Sequence, residues 1–258
     1  MIKALHLFTV LIKAFIPRQM AAIFGCCMLL LSAGCHPKVQ GGLKNSDLHR
    51  DIEVVTTKGT IVLRLSDSTP QHRDNFLRLV KAKYYDSLLF HRVIRNFMIQ
   101  SGDPDSREGR PGKPLSQGGS GGPAYTIPAE IRPTLYHHRG ALGAARTNDN
   151  VNPTRASSGS QFYIVQGKKF TDFGLDSLEN GRLKGRKIPA DEREVYKTLG
   201  GAPHLDQQYT VFGEVVRGMD VVDSIAAVPT SGAPLDRPQT PVRILKMRLI
   251  RRSDRSVK

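Results

Sequence analysis

Tryptophan is absent from the 258 residues, and the three cysteines, Cys26, Cys27 and Cys35, all fall within the first 35. From residue 36 onward there is no thiol to oxidise and no disulfide to form, so the folded part must be held by a packed core. Acidic residues are also in short supply, with 23 Asp and Glu against 38 Lys and Arg. Such an excess suits nucleic acid when it is gathered into blocks. Here it is spread along the chain, so we expect a basic, solvated surface and no nucleic-acid partner. No apolar run reaches the ~20 residues of a membrane-spanning helix, and no internal repeat points to a solenoid.

What is present begins with "MIKALHLFTVLIKAFIPRQMAAIFGCCMLLLSAGC", which carries Lys3, Lys13 and Arg18, no acidic residue, and an apolar run from Ala21 to Leu31. That pattern is the charged n-region and apolar h-region of a secretory signal. Ser32, Ala33 and Gly34 precede Cys35, an ending that resembles a bacterial lipoprotein signal, in which the cysteine is acylated before cleavage. Leu31 stands one position earlier than is usual there. The expected organisation is a signal peptide over 1–34, a lipidated tether over 35–50 starting at Cys35, one domain over 51–252 and a tail over 253–258. About 220 residues remain after cleavage, enough for one well-buried domain. The expected location is the cell envelope, outside the cytoplasm, with the lipid anchor as the link to the membrane.

Along the domain, "DIEVVTTKGTIVLRLS" has apolar positions spaced by two on either side of Lys58-Gly59, a β-hairpin signal. "STPQHRDNFLRLVKAKYYD" reads as a helix with Ser68 or Thr69 as N-cap, Pro70 in the first turn and Phe76, Leu77 and Val80 on one face. A glycine- and proline-rich loop over about 104–133 has neither period. "RGALGAART" and "GSQFYIVQG" are strand candidates, the second with Phe162 and Ile164 on one face and Tyr163 and Val165 on the other. Gly143 and Gly159 suggest backbone brought close to a neighbour. The charged segment 168–203 reads as a surface insertion with one short helix at "ADEREVYKTL". "YTVFGEVV" is a strand, "GMDVVDSIAAV" a helix, and "VRILKMRLI" an imperfectly alternating strand with Val242, Ile244 and Met247 toward the core. Many short strands with few helices suit an antiparallel barrel better than a βαβ fold.

One stretch resists a purely structural reading. "FHRVIRNFMIQSGD", residues 90–103, sets Arg92 among Phe90, Val93, Ile94, Phe97, Met98 and Ile99. A guanidinium in such a run is costly unless one strand face is wet or the residue works in a cleft. Together with "GSQFYIV" and "LDQQYTVFGEVVRGMDVV", in that order, this stretch resembles the three signature segments of the cyclophilin family of peptidyl-prolyl cis-trans isomerases. The resemblance spans roughly residues 51 to 250. It implies a mainly β fold, a closed eight-stranded antiparallel β-barrel capped by two helices, here with loop insertions, and a substrate groove on the outside of the barrel. It implies that Arg92 is catalytic, that Phe97, Met98, Tyr163 and Leu205 form an apolar proline pocket, and that Gln100, Gln161 and the backbone around Ala145 and Arg146 form its polar rim.

Several positions depart from the best-known pattern. His204 stands where members that bind the cyclic peptide cyclosporin tightly have tryptophan, which predicts weak binding of that drug. Arg146 replaces a rim asparagine, Tyr209 a rim histidine, and Tyr163 the phenylalanine of the pocket floor, so its hydroxyl needs a partner if buried. The resemblance implies no cofactor and no metal. The His137-His138 pair reads as structural or solvated, since strand neighbours point to opposite faces, and Asp103 and Asp206 read as loop-fixing. Proline-containing polypeptides are the expected clients of a monomeric enzyme. The competing reading is a chaperone or peptide-binding module that uses the same groove with incidental turnover; a weaker one is an adhesin scaffold.

Overall fold

β1 (Arg50–Thr56) and β2 (Gly59–Leu65) form the hairpin that the Lys58-Gly59 turn predicts, with Gly59 at a φ of 131° that side chains rarely adopt. The computed structural model describes residues 42–107 and 122–252. The signal peptide, Cys35, the start of the tether, part of the 104–133 loop and the 253–258 tail lie outside the described residues. The other main-sheet strands are β3 (Arg92–Ile94), β4 (Met98–Ser101), β6 (Ala141–Ala144), β8 (Phe162–Val165), β9 (Val211–Arg217) and β10 (Ile244–Arg251). They run in the order β10-β1-β2-β9-β6-β8-β4-β3, each pair antiparallel. β5 (Thr126–Ile127) and β7 (Ser157–Ser158) make a separate two-stranded ladder.

Two parts of the expected barrel need correction. The eight-stranded sheet is open, with β3 and β10 as its edges, and not a closed barrel. Where closure would need a ladder, the chain entering β3 meets the chain entering β10 through three backbone hydrogen bonds: Ser87 N and Phe90 N donate to Ile244 O (2.8 Å) and Val242 O (2.9 Å), and Ile244 N to Leu88 O (2.8 Å). β3 is only three residues long, and Pro238 and Pro241 remove N–H donors from the segment that would have to extend β10 beside it.

The second correction concerns helices, four among the described residues: the expected capping pair and, in the 168–203 segment, two where the sequence predicts one. α1 (Pro70–Lys81) and α4 (Met219–Ala226) are the expected pair, and α1 packs on β9 and β10 while α4 packs on β2, β3 and β4. The other two, α2 (Asp172–Asn180) and α3 (Ala190–Thr198), belong to the 168–203 segment. That segment has a small core of its own, built from Leu175, Leu183, Ile188 and Tyr196. Thr171 caps α2, and Arg193 of α3 bonds Asp172, Asp176 and Glu179 of α2.

The N-terminus of α1 shows how the irregular chain earns its place. Thr69 occupies the N-cap and Pro70 the first helical position, yet Thr69 makes no cap hydrogen bond. The carboxylate of Glu130, from the 104–133 loop, accepts instead from Gln71 N (3.2 Å) and His72 N (2.9 Å). Those N–H groups have no partner inside the helix, so a residue distant in sequence satisfies them.

The inner face of the sheet and the apolar faces of α1 and α4 close the main core. Phe76 stands at its centre, edge-on to Phe162 with ring centroids 5.3 Å apart and near Tyr85 and Phe212. Val242, Ile244 and Met247 are all buried, as expected. Their odd spacing has a cause: the β1–β10 register slips between Val55 and Thr56, so Leu245 turns outward and the alternation resumes out of phase. The faces of β8 divide as its sequence predicts. Phe162 and Ile164 join the main core, whereas Tyr163 and Val165 join a second cluster on the opposite face with Met98, Ala141, Ala202, Leu205 and Val211.

Candidate active site

The stretch 90–103 is not one strand but a tight hairpin. β3 and β4 pair with Arg92 opposite Gln100 and Ile94 opposite Met98, and Asn96 takes the left-handed turn with a φ of 62°. β4 then pairs with β8, setting Gln100 opposite Tyr163. A side chain on β3, one on β4 and one on β8 are thereby brought to the outer face of the sheet.

The outcome is a cavity of about 460 Å³. Its apolar lining comes from Phe97, Met98, Tyr163 and Leu205, together with Ala145. Arg92, Gln100, Arg146 and Tyr209 supply polar atoms around it. Arg92 keeps 40% of its side chain exposed, with Nε 3.5 Å from Asp236 Oδ2. Val93 N donates to Asp236 O at 2.8 Å, which ties the Asp236 loop to β3.

Two predicted residues do not line this cavity. Gln161 lines a neighbouring depression of about 570 Å³ that shares Gln100, Ala145 and Arg146 with the first, and its Oε1 accepts from Gln100 Nε2 at 3.2 Å. His204 packs its ring on Phe97 with centroids 5.1 Å apart. Burial, aided by the nearby Arg182 guanidinium, pushes His204 down to about 4, so at neutral pH it backs Phe97 as an uncharged aromatic. Arg146 is at the cavity, but its guanidinium is already engaged. It donates to Gln208 O, Thr147 O and Asp149 and lies 4.4 Å from the centre of the Tyr209 ring.

The structure adds His91, Pro234, Leu235 and Arg237 to the lining. Burial also pushes His91 down to about 4, with Arg237 and Arg92 adding to the effect and Asp103 opposing it. His91 could have been suspected as the neighbour of Arg92. The proline-rich loop carrying residues 234–237 has no period to mark it, and nothing in the sequence announced its position.

The hydroxyl of Tyr163 finds its required partner in His137, whose Nε2 is 2.9 Å away. His137 is fully buried, while His138 beside it is half-buried and bonds Arg139 O. Asp103 caps a short turn by accepting from Asp105 N, and Arg95 is exposed. Gly143 faces Tyr163 across the β6–β8 ladder, and a Cβ there would overlap the Tyr163 ring and hydroxyl. Glycine therefore makes the room in which the pocket floor lies.

The guanidinium of Arg92, a fork of several N–H donors, stands beside an apolar seat. This arrangement can hold a peptide carbonyl and present a donor to an amide nitrogen without breaking a covalent bond.

Comparison with known proteins bears on the same residues. Residues 51–249 match the family described as cyclophilin type peptidyl-prolyl cis-trans isomerase/CLD. A Neurospora crassa protein named peptidyl-prolyl cis-trans isomerase-like 1 is 34% identical over 206 residues, 79% of this chain and 96% of the relative. A Streptococcus pyogenes protein, whose name pairs a phosphatase with a peptidyl-prolyl cis-trans isomerase, is 36% identical over 194 residues; the match covers 74% of this chain but only 37% of that longer protein. Among solved structures, a Cryptosporidium parvum cyclophilin type isomerase superposes with a TM-score of 0.57 at 22% identity, covering 79% of this chain and 99% of its own.

Proposed function

The chain belongs to the cyclophilin-type peptidyl-prolyl cis-trans isomerases and acts on proline-containing polypeptides, and from that premise we propose that Arg92 is the catalytic residue and that Phe97, Met98, Tyr163 and Leu205 seat the proline ring. The observation that carries this reading is the single cavity that Arg92 shares with those four side chains.

The chemistry follows from the bond. The cis and trans forms of an X-Pro amide differ by only ~0.5–1 kcal/mol, while rotation between them must cross about 18–20 kcal/mol. In the planar state the proline nitrogen shares its lone pair with the carbonyl. As the bond twists, the nitrogen pyramidalises and the lone pair becomes an acceptor, so a donor aimed there binds the twisted state better than either planar one. The Arg92 guanidinium has several donors, so one N–H holds the prolyl carbonyl while another meets the nitrogen. One charge-assisted hydrogen bond contributes about 1.5–3 kcal/mol, a factor of roughly ten to a few hundred in rate. The apolar seat supplies more, by gripping the ring and stripping water that favours the charge-separated planar amide. Gln100 and Gln161 hold the flanking peptide.

Asp236 stands behind Arg92 as its counter-charge and sets the direction of the guanidinium. His91, uncharged, adds no second cation beside it.

The enzyme is exported and held in the cell envelope by a lipid on Cys35, a reading supported by the charged and apolar regions that precede that cysteine. Its clients are then extracytoplasmic chains whose folding waits on slow proline isomerisation.

The test measures isomerisation of a panel of X-Pro peptides by the wild type and by Arg92→Ala, with peptide binding followed separately. Turnover should fall by roughly ten to a few hundred fold while binding through the apolar seat persists. Wild-type turnover in the variant would remove Arg92 from the mechanism. In cells that express the full chain, Cys35→Ser should release the protein from membranes, and unchanged retention would refute the anchor.

A further inference from the structure

The 168–203 segment reaches the proline cavity through a buried polar chain. Tyr196 of α3 donates its hydroxyl to Asp206 Oδ2 at 2.6 Å. Asp206 Oδ1 accepts from both the backbone N and the ring Nδ1 of His137, each at 2.8 Å. The other ring nitrogen of His137 lies 2.9 Å from the Tyr163 hydroxyl at the cavity. Tyr196 and His137 are 0% exposed, Asp206 3% and Tyr163 4%, so no step of the chain is open to bulk water.

Asp206 Oδ1 takes the Nδ1 side of the His137 ring, which leaves Nε2 as the ring atom that bonds the Tyr163 phenol, itself kept protonated by burial. The Tyr163 hydroxyl is thus bonded inward to His137, while its ring lines the cavity. The same segment also holds a second part of the lining, since Arg186 Nη2 donates to Pro203 O (3.4 Å) and Asp206 O (3.3 Å), on either side of Leu205.

We propose that Tyr196, Asp206 and His137 are positioning residues for the proline pocket, so that the inserted segment sets the tilt and depth of its Tyr163 floor. The proposal rests on the reading of that cavity as the proline site. In a buried hydrogen-bonded row each bond fixes the next, and a phenol held at its far end cannot swing into or away from the space its ring borders. An insertion that looks like surface decoration from its charge is thereby a component of the site.

The experiment is a double-mutant cycle on the intact chain with kcat and KM read for an X-Pro peptide. Tyr196→Phe removes one hydroxyl and keeps its ring, and Tyr163→Phe disconnects the floor from the row. Tyr196→Phe should raise KM about five-fold, the loss of one typical hydrogen bond, with kcat nearly unchanged. In the Tyr163→Phe background the same change should have no further effect on KM. A purely structural role for Tyr196 would show in thermal unfolding and act equally on KM in both backgrounds, which would overturn the proposal. So would an unchanged KM in Tyr196→Phe. Should Tyr196→Phe not fold, the aromatic NMR signals of Tyr196 in the wild type serve instead. They should move when an Ala-Pro peptide fills the cavity, and signals that stay fixed at saturation would overturn the proposal. If the peptide leaves the signals of Tyr163 itself unmoved, the cavity is not the proline site and the proposal falls with that reading; signals that move at Tyr163 but not at Tyr196 refute the positioning role alone.

Discussion

Replacing Gly143 by alanine tests the pocket floor with a single methyl group. The new Cβ would fall on Cζ, Cε2 and the hydroxyl oxygen of Tyr163. Ordinary carbon contacts lie at ~3.5–4.0 Å, so the ring must retreat by on the order of 1 Å. It has little freedom to do so. Its hydroxyl is held by His137, whose ring lies nearly parallel to it with centroids 6.0 Å apart, and Tyr209 stands edge-on at 6.2 Å. The easier movement is outward, into the cavity that Tyr163 borders. Overpacking of this kind costs about 1–3 kcal/mol, and in a domain of this size each kcal/mol lowers Tm by roughly 2–4 °C. Circular dichroism should register that loss, and isomerisation of an X-Pro peptide should show a raised KM as the seat becomes shallower. Gly143→Ala made on top of Tyr163→Leu, which lacks the clashing atoms, should cost little in Tm. Wild-type Tm and KM in the single variant would refute the claim that glycine at 143 makes room for the floor.

Two further perturbations have signs that follow from the geometry. Asp236→Asn keeps the loop's shape but removes the counter-charge of Arg92; kcat/KM should fall about two- to five-fold, matching the ~0.5–1 kcal/mol of a partly exposed pair, with Tm nearly unchanged. Glu192 on α3 is raised from 4.5 to about 7, by burial first and then by Asp206 and Asp191. The folded state therefore holds a proton that the unfolded chain releases across that window, so Glu192 makes stability fall as pH rises from about 5 to about 7. Glu192→Gln has no proton to lose, and its Tm advantage over the wild type should grow between about pH 5 and about pH 7 and then level off; an advantage independent of pH would show that Glu192 does not titrate there.

Elements with a clear period were legible in advance. The β1–β2 hairpin, α1 with Pro70 in its first turn, α4, and the two faces of β8 all follow from the spacing of apolar residues, because each element has one face buried and one not. The candidate site was legible only through the family resemblance, whose contiguous motifs contain the residues of β3, β4 and β8 that the fold brings to one cavity. What stayed hidden depends on contacts between distant segments. α2 has Gly174 inside it and a partly polar sequence, and it is held by Arg193 from the next helix. The open sheet turns on the prolines before β10. The wall formed by Pro234 and Leu235, the counter-charge at Asp236 and the partnership of Tyr163 with His137 all join residues whose separation in the chain carries no pattern.

The strand order also sets a timetable. β1 lies between β2 and β10, so β1, the first strand among the described residues, keeps an unpaired edge until Ile244–Arg251, the last of them, has emerged. The bonds that join Ser87–Phe90 to Val242–Ile244 wait for the same residues. A ribosome or translocation pore that delivers this chain from its N-terminus must therefore release it through Arg251 before the sheet is complete. Stalling or truncation just short of residue 244 leaves both β1 and the approach to Arg92 without their final neighbours, and that nascent chain offers a bare strand edge to whatever it meets.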